Sequence, residues 1–122
     1  MINIKPLKAY TDNYIWLLET NEEVSIVDPG DAKPVLDYLS KTNKNIRDIF
    51  ITHHHFDHTA GVPELENIIS GSIYGPKNSY ELINEKVTQG DTLSSLGIKF
   101  EIIEVPGHTL DHIAFYLSLI HI

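Results

Sequence analysis

The sequence predicts a layered α/β (α+β) fold in which helices cover β-sheets, and three observations carry that expectation. Short apolar runs crowd the first part of the chain, as strands of an antiparallel sheet do. From Asp31 onward, strand-like and helix-like stretches alternate. Hydrophobic residues make up 42% of the 122 residues, with one Trp, six Tyr and four Phe, which is enough for a packed core and too much for a disordered chain.

Ile2 to Ala9 reads as a first strand, and Tyr10-Thr11-Asp12-Asn13 has turn chemistry. Tyr14 to Leu18 is a second strand, Asn21-Glu22-Glu23 a turn, and Val24 to Val27 a third strand ended by Asp28-Pro29-Gly30. A helix follows, capped by Asp31, with Pro34 in its first turn and an apolar face of Val35, Leu36 and Leu39. Ile46 to Thr52 is a fully apolar strand around Asp48-Ile49-Phe50-Ile51. Pro63 to Ile69 reads as a second helix, with Leu65, Ile68 and Ile69 inward. Ser72-Ile73-Tyr74 is a short strand closed by Gly75-Pro76, and Gly90-Asp91 is a turn. Thr92 to Leu96 and Lys99 to Val105 form a hairpin around Ser95-Leu96-Gly97. Pro106 to Thr109 is a loop, and Ile113 to Leu117 begins another strand. No repeat or linker interrupts this order.

The bulk numbers exclude several classes. A formal net charge of −8 disfavours a nucleic-acid partner, which usually needs a basic patch. With no cysteine, there is neither a disulfide framework nor a thiolate metal site, so any metal must be held by His, Asp or Glu. The segment Met1 to Pro6 lacks the charged lead and apolar run of a targeting signal, and the longest apolar runs are strand-sized. The expectation is a cytoplasmic protein that does not enter a membrane.

Chemistry concentrates in Thr52-His53-His54-His55-Phe56-Asp57-His58, directly after an apolar strand and before a helix. On an extended segment His53 and His55 point to one side and can share an ion. As the chain turns, Asp57 and His58 change direction and can reach a second. Imidazole and carboxylate without thiolate suit zinc, iron or manganese, and ligand type alone does not choose among them. His54 points the other way and is read as structural or as a support to the ligands. His108 follows Pro106-Gly107, where glycine lets the backbone approach a ligand, and is the candidate third ligand of the ion held by His53 and His55. For His112, core packing, support of a ligand and catalysis all stay open. Asp28 is either a plain turn aspartate or an acceptor that orients a ligand imidazole or a metal-bound water.

These residues resemble the metallo-β-lactamase fold superfamily, and within it the hydroxyacylglutathione hydrolase (glyoxalase II) family. His-x-His-x-Asp-His and Gly-His-Thr mark the superfamily. The narrower resemblance rests on Ala9 to Trp16, Val27-Asp28-Pro29-Gly30, Tyr74-Gly75-Pro76 and Val105 to Leu110, which match in order and spacing, and it extends from Ile4 to Tyr116. It implies the N-terminal portion of an αββα sandwich with the site at one edge. It implies two divalent ions, zinc in first place with iron or manganese compatible: His53, His55 and His108 on the first, Asp57 and His58 on the second. Asp57 would also be catalytic, orienting the bridging hydroxide, with Asp28, His54 and His112 around the ligands. The implied reaction is hydrolysis of S-D-lactoylglutathione, a small-molecule glutathione thioester, to D-lactate and glutathione. A full-length chain is expected to be a monomer.

Departures from the family pattern are Ala60 and Asp111, where glycine is common; neither removes a ligand. Family chains continue further, with a bridging aspartate, another histidine for the second ion and a glutathione-binding helical region, none of which is in this sequence. The expectation is a truncated domain over residues 1–116 that is poorly soluble and inactive alone. Residues 117–122, Leu117-Ser118-Leu119-Ile120-His121-Ile122, resemble the translation of a sequencing-library adapter and are expected to be non-native, with His121 no ligand. Rival readings are another enzyme of the superfamily, such as a lactonase or single-iron persulfide dioxygenase, and an inactive metal-binding fragment. The charge and Asp12-Asn13-Tyr14 disfavour a nuclease.

Overall fold

The computed structural model describes residues 3–9, 13–52, 59–76, 81–104 and 113–117. Its strands are β1 (Asn3–Ala9), β2 (Asn13–Glu19), β3 (Glu23–Val27), β4 (Asn45–Phe50), β5 (Ile73–Pro76), β6 (Glu85–Val87), β7 (Thr92–Ser95), β8 (Ile98–Glu104) and β9 (Ile113–Leu117). The helices are α1 (Ala32–Thr42) and a short α2 (Val62–Leu65) that continues as a 3-10 turn over Glu66–Ile68.

Strands β1 to β6 form one sheet in sequence order, and β7-β8-β9 a second. The first three strands pair antiparallel, as their close spacing predicts. From β3 to β6 the pairing is parallel, because helical or looped connections carry the chain back over the sheet between strands. The β7–β8 hairpin closes through Leu96 and Gly97, both at positive φ (57° and 78°). That is the twist a two-residue hairpin turn requires, and Gly97 adopts it without steric cost.

Two apolar cores lie on opposite faces of the larger sheet. One, between that sheet and both helices, includes Leu17, Ile26, Val35, Ile49, Leu65 and Ile73. The other, between the two sheets, includes Leu18, Phe50, Val87, Phe100 and Ile102, with Phe50 stacked on Phe115 of β9 at 4.9 Å between ring centroids. The described residues thus form helix, sheet and sheet layers, matching the expected fold class. No helix among them is long and apolar enough to cross a membrane.

Four expectations need correction. Leu36 is 39% exposed, because α1 turns Ala32, Val35, Tyr38 and Leu39 toward the sheet and carries Leu36 off that stripe. The helix expected over Pro63 to Ile69 is one α-turn that tightens into 3-10 geometry; this rotates Ile68 outward to 48% exposure, while Ile69 bridges to Ile46. The three-residue β6, polar in sequence, was not expected. Nor is β4 fully apolar: Asp48 lies buried between the sheets. Its Oδ1 accepts from the Ser72 backbone N–H at 2.8 Å and its Oδ2 from the Ser95 hydroxyl at 2.5 Å, while Ser95 shares a further hydrogen bond with Ser25 at 2.7 Å. A Cβ at Gly71 would meet Asp48 Oδ1 at 2.1 Å and the Arg47 carbonyl at 2.7 Å, so only glycine admits this arrangement. Residues 10–12 of the expected turn and the loop at 106–109 lie outside the described residues, as do residues 118–122; Asn13 is the first residue of β2 and Leu117 the last of β9.

Glu19 is 1% exposed at the end of β2. It pairs with Lys5 and Lys44, each at 2.9 Å, and accepts a hydrogen bond from the Tyr38 hydroxyl. Burial alone would push its carboxyl up; the two ammonium groups outweigh that and hold it below the ordinary value of 4.5. A depressed folded-state value means that the stabilisation is present above pH 4.5 and is lost as pH falls below it toward the folded value. Glu19→Gln is therefore expected to cost about 3 kcal/mol near neutral pH. The deficit should shrink as the medium is acidified through that window. Urea unfolding at several pH values checks this, and a deficit constant across the range contradicts it.

Candidate metal centre

Parallel pairing places the C-terminal ends of β3 and β4 side by side, with Val27 opposite Phe50. Asp28 continues the ladder, its N–H donating to the Phe50 carbonyl at 2.8 Å. It then takes a left-handed conformation (φ 51°), which aspartate tolerates better than most side chains. The Gly30 N–H closes the turn onto the Asp28 carbonyl at 2.8 Å.

That conformation aims the buried Asp28 carboxylate at the end of β4. Oδ1 accepts from the Thr52 N–H at 2.8 Å and Oδ2 from the Thr52 hydroxyl at 2.6 Å. Both oxygens bind the residue that immediately precedes His53. Bonds to an ionised acceptor are about twice as strong as neutral ones, so this fixes the root of the histidine segment firmly.

The far end of the segment is tied to the same turn. Thr59 is buried, and the Gly61 N–H donates to the Pro29 carbonyl at 2.8 Å. Val62 and Leu65 of α2 then enter the helix-side core. Asp28 holds one end of the segment and Pro29 the other. Beside them, the end of β5 is coupled to β4 by the Ile51 N–H donating to the Tyr74 carbonyl at 2.8 Å. Burial, and after it the charge of Asp48, push the Tyr74 hydroxyl above its ordinary value, so it stays a neutral phenol.

The expected ligands His53, His55, Asp57, His58 and His108, with His54 and His112, lie outside the described residues. Among the described residues no three His, Cys, Asp or Glu side chains converge on a point. The donor set itself, five imidazole or carboxylate ligands without a thiolate, fits a hard or borderline divalent ion. Of the residues expected around the ligands, Asp28 is described, and its carboxylate engages the backbone and hydroxyl of Thr52. Sequence reasoning passed over Thr52 and Gly61. The signals available were a hydroxyl residue at the strand end and a glycine just before the helix.

Comparison with known proteins gives three results. Residues 11–119 match the family model described as the metallo-beta-lactamase superfamily. The chain is 48% identical over 122 residues to the hydroxyacylglutathione hydrolase of Pseudoalteromonas translucida, covering 94% of this chain and 46% of that one. For the same-named protein of Idiomarina loihiensis the values are 44% over 118 residues, 94% and 47%. The chain thus spans about half the length of the curated relatives it matches. Among solved structures, a subclass B3 metallo-beta-lactamase of Bradyrhizobium japonicum superposes with a TM-score of 0.79 at 18% identity, covering 98% of this chain and 55% of that one. ETHE1 from Myxococcus xanthus gives 0.76 at 24%, covering 96% and 53%. At those identities the structural likeness concerns the fold alone.

Asp28→Asn keeps a side chain tolerated at positive φ but has one acceptor oxygen where two are used. It is expected to cost about 1–3 kcal/mol. Thr52→Val, which removes the hydroxyl donor, should cost less when made on Asp28→Asn than on the parent. A double-mutant cycle of urea midpoints measures the coupling; strictly additive costs contradict the two-oxygen contact.

Proposed function

The chain belongs to the metallo-beta-lactamase superfamily, and on that premise we propose that it carries the metal-binding half of a hydroxyacylglutathione hydrolase. The observation that carries this reading is the rooting of a His-x-His-x-Asp-His segment, through Thr52 and Gly61, on one turn at the C-terminal ends of the two central strands of a six-stranded sheet. The substrate class follows the relatives that are 44–48% identical and bear that name.

In this reading His53, His55 and His108 hold one divalent ion, and Asp57 and His58 contribute to a second. Zinc is the expected metal, with iron or manganese accommodated by the same donors. When bound, the ions supply a water acidified to near neutral pH and an electrophile for the substrate carbonyl. The net reaction consumes one water: the C–S bond of the thioester breaks, the acyl carbon gains a hydroxyl as D-lactate, and the sulfur leaves as glutathione. Asp57 orients the attacking oxygen. Asp28 acts on this chemistry through Thr52, by setting where the ligand segment begins. His54 and His112 hold their neighbours in place. The remaining ligands and the contacts to the glutathionyl group belong to the part of the relatives that this chain does not span, and the complete protein works as a monomer.

The test is turnover of S-D-lactoylglutathione by the complete gene product, followed as loss of thioester absorbance. Activity should vanish on exhaustive chelation and return with zinc, iron or manganese. His53→Ala should lower kcat/KM by at least about a hundredfold, the scale of losing a group that acts on the developing oxyanion. Equal turnover with and without metal, or none by the metal-replete protein, would reject the assignment.

A further inference from the structure

We propose that Gly61 is a positioning residue for the metal-binding segment, setting its far end just as Asp28 and Thr52 set its near end. The inference rests on the metal reading above but concerns a residue that supplies no ligand atom.

The case is steric. Gly61 has an ordinary right-handed backbone (φ −84°, ψ −13°), so no conformational rule demands glycine there. Space does. A Cβ on Gly61 would lie 2.6 Å from the Pro29 carbonyl oxygen, 2.7 Å from the Ala32 nitrogen and 2.8 Å from the Asp31 carbonyl carbon. All three are backbone atoms of the turn and of the start of α1, and none can rotate away. The absent side chain lets the Gly61 N–H reach the Pro29 carbonyl at 2.8 Å. Pro29 adjoins Asp28, whose carboxylate holds Thr52. The two ends of the stretch, Thr52 and Gly61, are therefore tied to consecutive residues.

Bringing ligands together costs chain entropy, and ties at both ends of the segment reduce the share of that cost left to ion binding. Three of the expected ligands, His55, Asp57 and His58, lie three to six residues before Gly61. Moving the far anchor moves them with respect to His53. The shape of the ligand set then depends on a contact made entirely by main chain. Changes to groups that orient metal ligands typically weaken metal affinity about 10- to 100-fold.

The experiment compares zinc affinity, by chelator competition, in the complete gene product carrying Gly61→Ala, with the visible spectrum of the cobalt-loaded form as a second readout. Gly71→Ala is the control: it meets a comparable collision with Arg47 and Asp48, away from the Asp28–Pro29 turn. The expected result is a zinc dissociation constant raised at least about tenfold in Gly61→Ala, with an altered cobalt spectrum. Gly71→Ala should lose thermal stability and leave both metal readouts unchanged. One glycine inserted between Ala60 and Gly61 keeps the Pro29 contact while lengthening the loop, and should weaken zinc binding in a protein that melts normally. Affinity and spectrum equal to the parent in Gly61→Ala overturn the proposal. So does weakening that only tracks melting temperature across both alanine variants. If Gly61→Ala fails to fold, the insertion variant decides, and unchanged affinity there overturns the proposal. A parent that binds no zinc, cobalt, iron or manganese removes the metal reading itself, a separate failure.

Discussion

From Asp48 to Ile51 the end of β4 and the residue after it are buried on both faces, and the rest of the molecule is arranged around that constraint. Ile49 and Ile51 fill the helix-side core while Phe50, between them, fills the core shared with the second sheet. Each fully buried side chain of this size contributes about 1.5–3 kcal/mol. A slip of one residue would exchange the two faces and forfeit several such contributions at once. Register is therefore fixed by bulk apolar packing, and it delivers Thr52 to the Asp28 carboxylate. The polar contact selects nothing by itself; it locks a position that the two cores have already chosen.

A second polar feature acts between the sheets. Apolar interfaces are tolerant of small sliding, because burial has no direction. The hydrogen bonds from Ser95 to Asp48 and between Ser95 and Ser25 do have direction. They join β7 to β3 and β4 at one point of an otherwise apolar contact. In low dielectric an unmet partner there would be costly, so the sheets have one relative placement. Asp48 and Asp28 do related work: one joins sheet to sheet, the other joins the turn after β3 to the residue that precedes His53.

Much of this was legible in the sequence, and the gaps have identifiable causes. The antiparallel opening, the Asp31 cap, the existence of β4 and the β7–β8 hairpin follow from short apolar runs and turn chemistry, which are local signals. Leu36 and Ile68 defeated the periodicity argument because one apolar residue too many sat beside each true stripe, and only packing against the sheet decides which is left out. Strand β6 had no local signal; it exists because β5 offers it an edge. Asp48 looked like a blemish in an apolar strand because its partners, Ser72 and Ser95, lie 24 and 47 residues away. At the candidate metal centre the expected ligand types were plain in the sequence, whereas Thr52 and Gly61 were not, because their contacts are made through the turn at Asp28 and Pro29.

The left-handed backbone at Asp28 has a consequence for how this position can vary. Two independent filters act on it. The positive φ admits glycine, asparagine and aspartate far more readily than any other residue. The Thr52 N–H and hydroxyl are both met here by a charged acceptor, which aspartate and glutamate supply; asparagine would meet the hydroxyl only as a donor, in a weaker neutral contact. Only aspartate passes both. The choice of residue at this position is thus narrow, although the side chain supplies no core volume. Intolerance to substitution is usually taken to mark either a core or a catalytic group. Here it is expected from the intersection of a torsion angle with a charged contact to one threonine.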